Sequence, residues 1–194
     1  MIRTVQLQLK WRRRVQRRGP ITFAPGLNTL VGPNGSGKST VIRALVAAEA
    51  GDGEVEFEGS SDRRLFDTET MNPRVDRSAV GTREAMTLRI RGRFSSHGQM
   101  LRQALANLAV SPGATILLDE PEAGQDFDTV RQIKRLVEGA CERGYQVIAA
   151  SHHPVFWHDT NLVEMQSGYV DEVSRQMVAL LSDQYSSVPP TSSA

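Results

Sequence analysis

One nine-residue stretch constrains this chain more than any other. Gly32-Pro33-Asn34-Gly35-Ser36-Gly37-Lys38-Ser39-Thr40 follows a short apolar run over 27–31 and precedes a helical pattern over 38–50, in which Val41, Leu45 and Ala48 recur at three- and four-residue spacing before Gly51. Strand, glycine-rich loop and helix in that order predict an α/β sheet. Its glycines let the backbone curl until successive N–H groups point inward at an anion, and the helix behind adds the positive end of its dipole. Asn34, Gly35, Ser36, Gly37, Lys38, Ser39 and Thr40 are therefore expected to bind a nucleotide's phosphates. Lys38 supplies a point charge to the β- and γ-phosphates, and the Ser39 hydroxyl is a ligand for Mg²⁺. A chance match in a chain of this length has a probability of roughly 1%, so a solvated glycine turn is a poor alternative.

A second signal lies eighty residues on. Thr115-Ile116-Leu117-Leu118-Asp119-Glu120 is an apolar run ending in two carboxylates, as a buried parallel strand does at the edge where open α/β sheets bind ligands. Asp119 is expected to hold Mg²⁺, directly or through water, and Glu120 to act as general base on the attacking water.

Composition narrows the setting. A length of 194 residues suits one domain. No apolar run approaches the roughly 20 residues that span a bilayer, and Val5, Leu7 and Leu9 alternate with polar residues where a signal peptide would be continuously apolar. Cys141 is the single cysteine, so a reducing cytoplasmic location without membrane insertion is expected. The net charge of +1 conceals an asymmetry: residues 1–48 hold nine basic side chains and no acidic one. Six of the nine, Lys10, Arg12, Arg13, Arg14, Arg17 and Arg18, fall in one stretch around Trp11. That stretch has two readings, a nucleic-acid contact with Trp11 stacking on a base, or a solvated β-arm beside the bound phosphates.

Along the rest of the chain, alternation predicts a strand over 4–11, with the basic stretch as an exposed hairpin arm ending at Gly19-Pro20. Short strands are expected over 21–23 and 54–58 and near Leu65-Phe66. Residues 70–93 read as loop with one short helix, and 100–110 as an amphipathic helix. A helix is expected over 129–143, a buried strand over 145–150, a hairpin around Leu162 and Tyr169, and a last helix over 173–181. The Ser-, Pro- and Thr-containing tail over 186–194 reads as disordered, leaving 1–185 as the domain. Cys141, inside a helix without a base partner, reads as a packed thiol. His152, His153 and His158 lack the cysteine partners and spacing of a zinc site.

Together, Gly32 to Thr40 and Ile116-Leu117-Leu118-Asp119-Glu120-Pro121 resemble the ATP-binding-cassette (ABC) ATPases. Three further segments, in the family's order, resemble the rest of its set. Ser95-Ser96-His97-Gly98-Gln99 is similar to the signature motif, with Ser96 and Gly98 in its nucleotide-contacting positions. Glu122-Ala123-Gly124-Gln125-Asp126 occupies the D-loop position. Ala150-Ser151-His152-His153-Pro154 resembles the switch segment, which makes His152 the γ-phosphate sensor. Within the family, the Ser-His-Gly-Gln signature and Ser-His-His-Pro switch look most like those of small stand-alone predicted ATPases. The resemblance implies a P-loop NTPase fold: a mainly parallel sheet flanked by helices, a small N-terminal antiparallel β layer and a shortened helical subdomain. It also implies ATP and Mg²⁺ as cofactors, with Lys38, Glu120 and His152 as the catalytic set, and a head-to-tail homodimer in which Ser96 reaches the partner's ATP.

The chain departs from the family pattern at the Q-loop, since no glutamine occurs between Gln16 and Gln99; Asp67 or Glu69 is the candidate stand-in. Only Trp11 and Phe23 offer an aromatic face to adenine. From Glu69 to Ser95 there are about 25 residues, too few for the helical subdomain that docks transporter ATPases on membrane partners and far too few for an SMC-like coiled coil. The function expected is that of an ATPase that dimerises around ATP to drive or switch an unidentified protein partner. The alternatives are a nucleic-acid-associated, SMC/RecF-like ATPase of repair, defence or a mobile element, a non-hydrolysing nucleotide switch, and a transporter's ATP-binding subunit.

Overall fold

Two sheets share the chain. The computed structural model describes residues 1–49, 55–59, 63–67 and 113–186. The larger sheet has five strands, all parallel, in the order β5–β6–β7–β3–β8: β3 is Leu27–Val31, β5 Arg63–Asp67, β6 Thr115–Asp119, β7 Gln146–Ala150 and β8 Asn161–Glu164. The smaller is antiparallel, with β1 (Ile2–Leu7) between β2 (Ile21–Thr22) and β4 (Val55–Gly59). The expected division into a mainly parallel sheet and a small N-terminal antiparallel layer is thus present.

Every residue of β3, β6 and β7 is buried, as expected of strands covered on both faces. Side-chain alternation sorts them. Leu30, Leu117, Ile148 and Ala150 pack with Val41, Ile42 and Leu45 of α2 (Lys38–Glu49) and with Ile2, Val5 and Leu7 of the antiparallel layer. Ile116, Leu118, Val147 and Ala149 face the opposite way, onto Val130, Ile133, Val137 and Ala140 of α3 (Phe127–Glu142). Each such Leu or Ile contributes about 1.5–3 kcal/mol through burial. The middle strands are therefore held rigidly, and their C-terminal ends are fixed relative to one another.

A buried amide links the two sheets. Gln146 Oε1 accepts from the Ile2 N–H at 2.7 Å and the Thr115 hydroxyl at 2.8 Å, and Nε2 donates to the carbonyls of Ile2 at 2.7 Å and Ala24 at 2.9 Å. Its side chain uses both ends of its hydrogen-bonding capacity across the seam.

Four expectations are corrected. The first strand ends at Leu7, and residues 9–12 form a single helical turn, α1 (Leu9–Arg12). Beyond that turn the chain folds back on the protein instead of projecting as a hairpin arm: Val15 is buried and Trp11 packs on the core beneath the Lys10 ammonium, which lies 5.4 Å from the ring centroid. The expected hairpin near Leu162 is a parallel edge strand, β8, paired with β3. Tyr169 belongs to the last helix, α4 (Tyr169–Ser186), which is longer than its apolar periodicity over 173–181. The helices expected within 70–93 and over 100–110 lie outside the described residues, as do residues 187–194.

Candidate nucleotide site

Three strand ends assemble the site. Because β3, β7 and β6 are parallel neighbours, their C-termini open on one edge of the sheet. Leu30 is in register with Ala150, and Ala150 with Asp119. At about 4.8 Å between strands, Asp119 stands roughly 10 Å from the strand that launches the glycine-rich loop. Cross-strand bonds continue past the strands: the Glu120 N–H donates to Ala150 O at 2.9 Å and the Ser151 N–H to Leu30 O at 3.3 Å. Asp67 holds the register position next to Asp119 on β5; Glu69 lies outside the described residues.

The loop itself is tightly curled. Gly35 and Gly37 have φ of +76° and +102°, in the region that favours glycine, and the Val41 N–H donates to Gly37 O at 3.0 Å as α2 begins. Lys38 folds back over the loop, and its Nζ donates to Gly32 O at 2.8 Å and Pro33 O at 3.1 Å. The residue is only 5% exposed. Burial pushes its ammonium pKa below the ordinary value, while the charges of Glu120, Asp119 and Glu122 pull it back up. The loop's cation therefore sits in the field of the carboxylates delivered by β6.

These residues fit a bound nucleotide and its cation. Ser36 Oγ is buried without a hydrogen-bond partner among the described residues, and a Cβ on Gly32 would come within 2.8 Å of it, so only glycine fits where the loop leaves β3. Asn34 and Gly35 are exposed, and Ser39 and Thr40 half-buried. A hydroxyl from Ser39 and a carboxylate from Asp119 are hard oxygen donors of the kind Mg²⁺ takes, with phosphate and water completing its shell.

Glu120 has φ of +47°, left-handed backbone that costs a non-glycine residue about 1–3 kcal/mol and that turns the chain sharply after β6. Its side chain is exposed. His152, at the end of β7, is half-buried. Burial and the Lys38 charge hold its imidazole pKa below the usual value, against the opposing charges of Glu120 and Glu122. A neutral ring is the result near neutral pH, able to donate a hydrogen bond to phosphate oxygen.

The structure thus brings together Lys38, Asp119, Glu120 and His152. Ser96 and Gly98 lie outside the described residues. Asp126 has a local task, since its carboxylate caps α3 by accepting from the Thr129 N–H at 2.7 Å. The basic stretch is a clamp on the loop: the Gln16 N–H donates to Ser36 O at 3.0 Å, and Gly37 lies against Arg14 O and Val15 so closely that a Cβ there would meet them at 2.7 and 2.8 Å. Arg12 bonds the carbonyls of Val15 and Arg17, and Arg17 bonds Glu164 O. Lys10, Arg13, Arg14 and Arg18 remain exposed. Of the two aromatics considered for adenine, Phe23 is in the core and Trp11 is half-buried on it.

Glu122 is given no role by its motif, although it carries a signal: a further carboxylate directly after Pro121, where the chain must turn beneath the end of β7. Its Oε1 accepts from the Ser151 hydroxyl at 2.8 Å and the His152 N–H at 2.7 Å.

Known proteins are similar to this chain in sequence. The family described as an AAA domain matches residues 7–111. The cytochrome c biogenesis ATP-binding export protein CcmA of Novosphingobium aromaticivorans is 36% identical over 143 residues, covering 65% of this chain and 74% of that protein. CcmA of Paracoccus denitrificans is 30% identical over 172 residues, or 79% and 82% of the two chains. The vitamin B12 import ATP-binding protein BtuD of Photobacterium profundum is 28% identical over 180 residues, or 69% and 71%.

Proposed function

The chain belongs to the ATP-binding-cassette family of P-loop ATPases, and from that membership we propose that two copies close head to tail around ATP, hydrolyse it with Mg²⁺ and so drive or switch a protein partner in a cytoplasmic setting. The observation that carries this reading is the common sheet edge on which the loop of the buried Lys38, after β3, and the Asp119 end of β6 both open. The backbone N–H groups over 35–40 and the Lys38 ammonium take the phosphates, in exchange for the carbonyls that Lys38 now bonds. Ser39 and Asp119 hold the metal, which supplies charge neutralisation at the transferred phosphoryl group. Glu120 accepts a proton from the attacking water, and its sharp turn sets its carboxylate at the site's open side. His152 donates to the γ-phosphate, and Ser96 completes the site from the second copy.

The test is Glu120→Gln. It should bind ATP, release phosphate at least about 100-fold more slowly than the parent, and accumulate as a dimer on a sizing column with ATP. Turnover at the parental rate would remove Glu120 from the proposed role.

A second reading has its own support: the relatives include export and import ATP-binding proteins by name. Among the described residues no helix is long and apolar enough to cross a membrane, and a transport role would show itself in association with a membrane protein. Co-purification of the ATP-trapped Glu120→Gln dimer with such a protein would favour transport.

A further inference from the structure

The segment carrying His152 is tied on its C-terminal side by local bonds, the Val155 N–H to His153 Nδ1 at 3.2 Å and the Phe156 N–H to His153 O at 2.9 Å. After β7 its backbone leaves the sheet, and the Ser151 N–H bond to Leu30 O is long at 3.3 Å. The next residues are ordered by a side chain from another segment. Glu122 Oε1 accepts from both the Ser151 hydroxyl and the His152 N–H, and Ser151 Oγ in turn accepts from the His153 N–H at 3.1 Å. Three consecutive residues of the switch segment therefore refer their positions to one carboxylate. Bonds to an ionised acceptor are shorter and roughly twice as strong as neutral ones, and Ser151, one of the two donors, is fully buried.

The other end of the link is equally specific. Glu122 lies two residues after Glu120, in consecutive turns closed by the bonds Ala123 N–H to Glu120 O and Gln125 N–H to Glu122 O, each at 3.0 Å. Those turns are short and hold Glu120 and Glu122 in a fixed relation.

We propose that Glu122 is a positioning residue: it ties the turn bearing the Glu120 carboxylate to the segment bearing His152, so that base and sensor are presented to the nucleotide as one unit. The proposal rests on the roles of Glu120 and His152 proposed for ATP hydrolysis. It treats Glu122 as touching neither ATP nor water, and predicts an effect on turnover with little effect on binding, since the loop that grips the phosphates has its own clamp in Val15 and Gln16.

The experiment is steady-state ATP hydrolysis with equilibrium ATP binding, on the full chain. Glu122→Ala should lower kcat about 10- to 100-fold, the scale of a misplacement near 1 Å, with the ATP dissociation constant within about threefold of the parent. Glu122→Gln, whose amide oxygen can accept the same two bonds, should recover kcat to within about threefold. His152→Ala combined with Glu122→Ala should be little worse than His152→Ala alone. If His152→Ala is inactive while Glu122→Ala keeps the parental kcat, or if the loss appears in affinity and not in kcat, the positioning role is overturned. If His152→Ala itself turns over normally, the sensor reading fails instead. Should Glu122→Ala not fold, Ser151→Ala decides. A fall in kcat of more than about threefold at unchanged affinity supports the link, and the parental kcat overturns it.

Discussion

Gly37 concentrates two demands in one residue. Its φ of +102° excludes easy substitution, and the space where a Cβ would go is taken by Arg14 O and Val15. Gly37→Ala should therefore cost about 1–3 kcal/mol of stability and weaken ATP binding, read by denaturant unfolding and nucleotide titration; unchanged values in both would show that the clamp yields freely. Gly35 has φ of +76°, but a Cβ there would meet nothing within 4 Å, so the cost is backbone strain alone. Cys141 is the opposite sort of residue, set by its surroundings and not by its backbone. Burial, then the nearby Glu138 charge, pushes its thiol up to about 11. Because a raised pKa keeps the thiol protonated, alkylation at pH 8 should run roughly 100-fold slower than for an ordinary cysteine, rising only as pH approaches 11. Rapid labelling of the native protein at pH 8 would contradict this. At this scale Lys38, Asp119, Glu120 and His152 were legible because their chemistry comes with motif order. The part played by Glu122 was not, since it depends on partners about 30 residues away.

At the scale of elements, the buried runs of β6 and β7 could be read directly, as could the amphipathic face of α3. A fully covered strand leaves no polar positions to confuse its period. The basic stretch was harder. Trp11 and Val15, which anchor it, are interleaved with arginines, so charge masks the packing face. β8 looked like half of a hairpin because its true partner, β3, precedes it by some 130 residues, and no local pattern reports so distant a pairing. The seam between the two sheets is equally non-local and depends on Gln146. Gln146→Leu would take from the Ile2 N–H, the Ile2 carbonyl and the Thr115 hydroxyl their bonds to the amide in a buried place, while the Ala24 carbonyl keeps its bond from Asn28; a loss of roughly 3 kcal/mol by chemical denaturation is expected. A loss below about 1 kcal/mol would mean that other contacts hold the layers together.

For the whole molecule, one topological fact organises the rest: parallel strands put the loop after β3, the carboxylates after β6 and the histidine after β7 on a single edge. Strand–loop–helix order and the paired carboxylates were enough to anticipate that meeting, since open α/β sheets bind ligands at this edge. The clamp over the loop and the Glu122 link could not be anticipated, because each joins segments far apart in the chain. Lys38, buried in the loop on that edge, is what the triphosphate engages. Equilibrium titration of the parent and of Lys38→Ala with ATP tests this most directly. A loss of at least about tenfold in affinity is predicted, the effect of withdrawing one desolvated charge from the phosphates; equal affinity in the two proteins would contradict it.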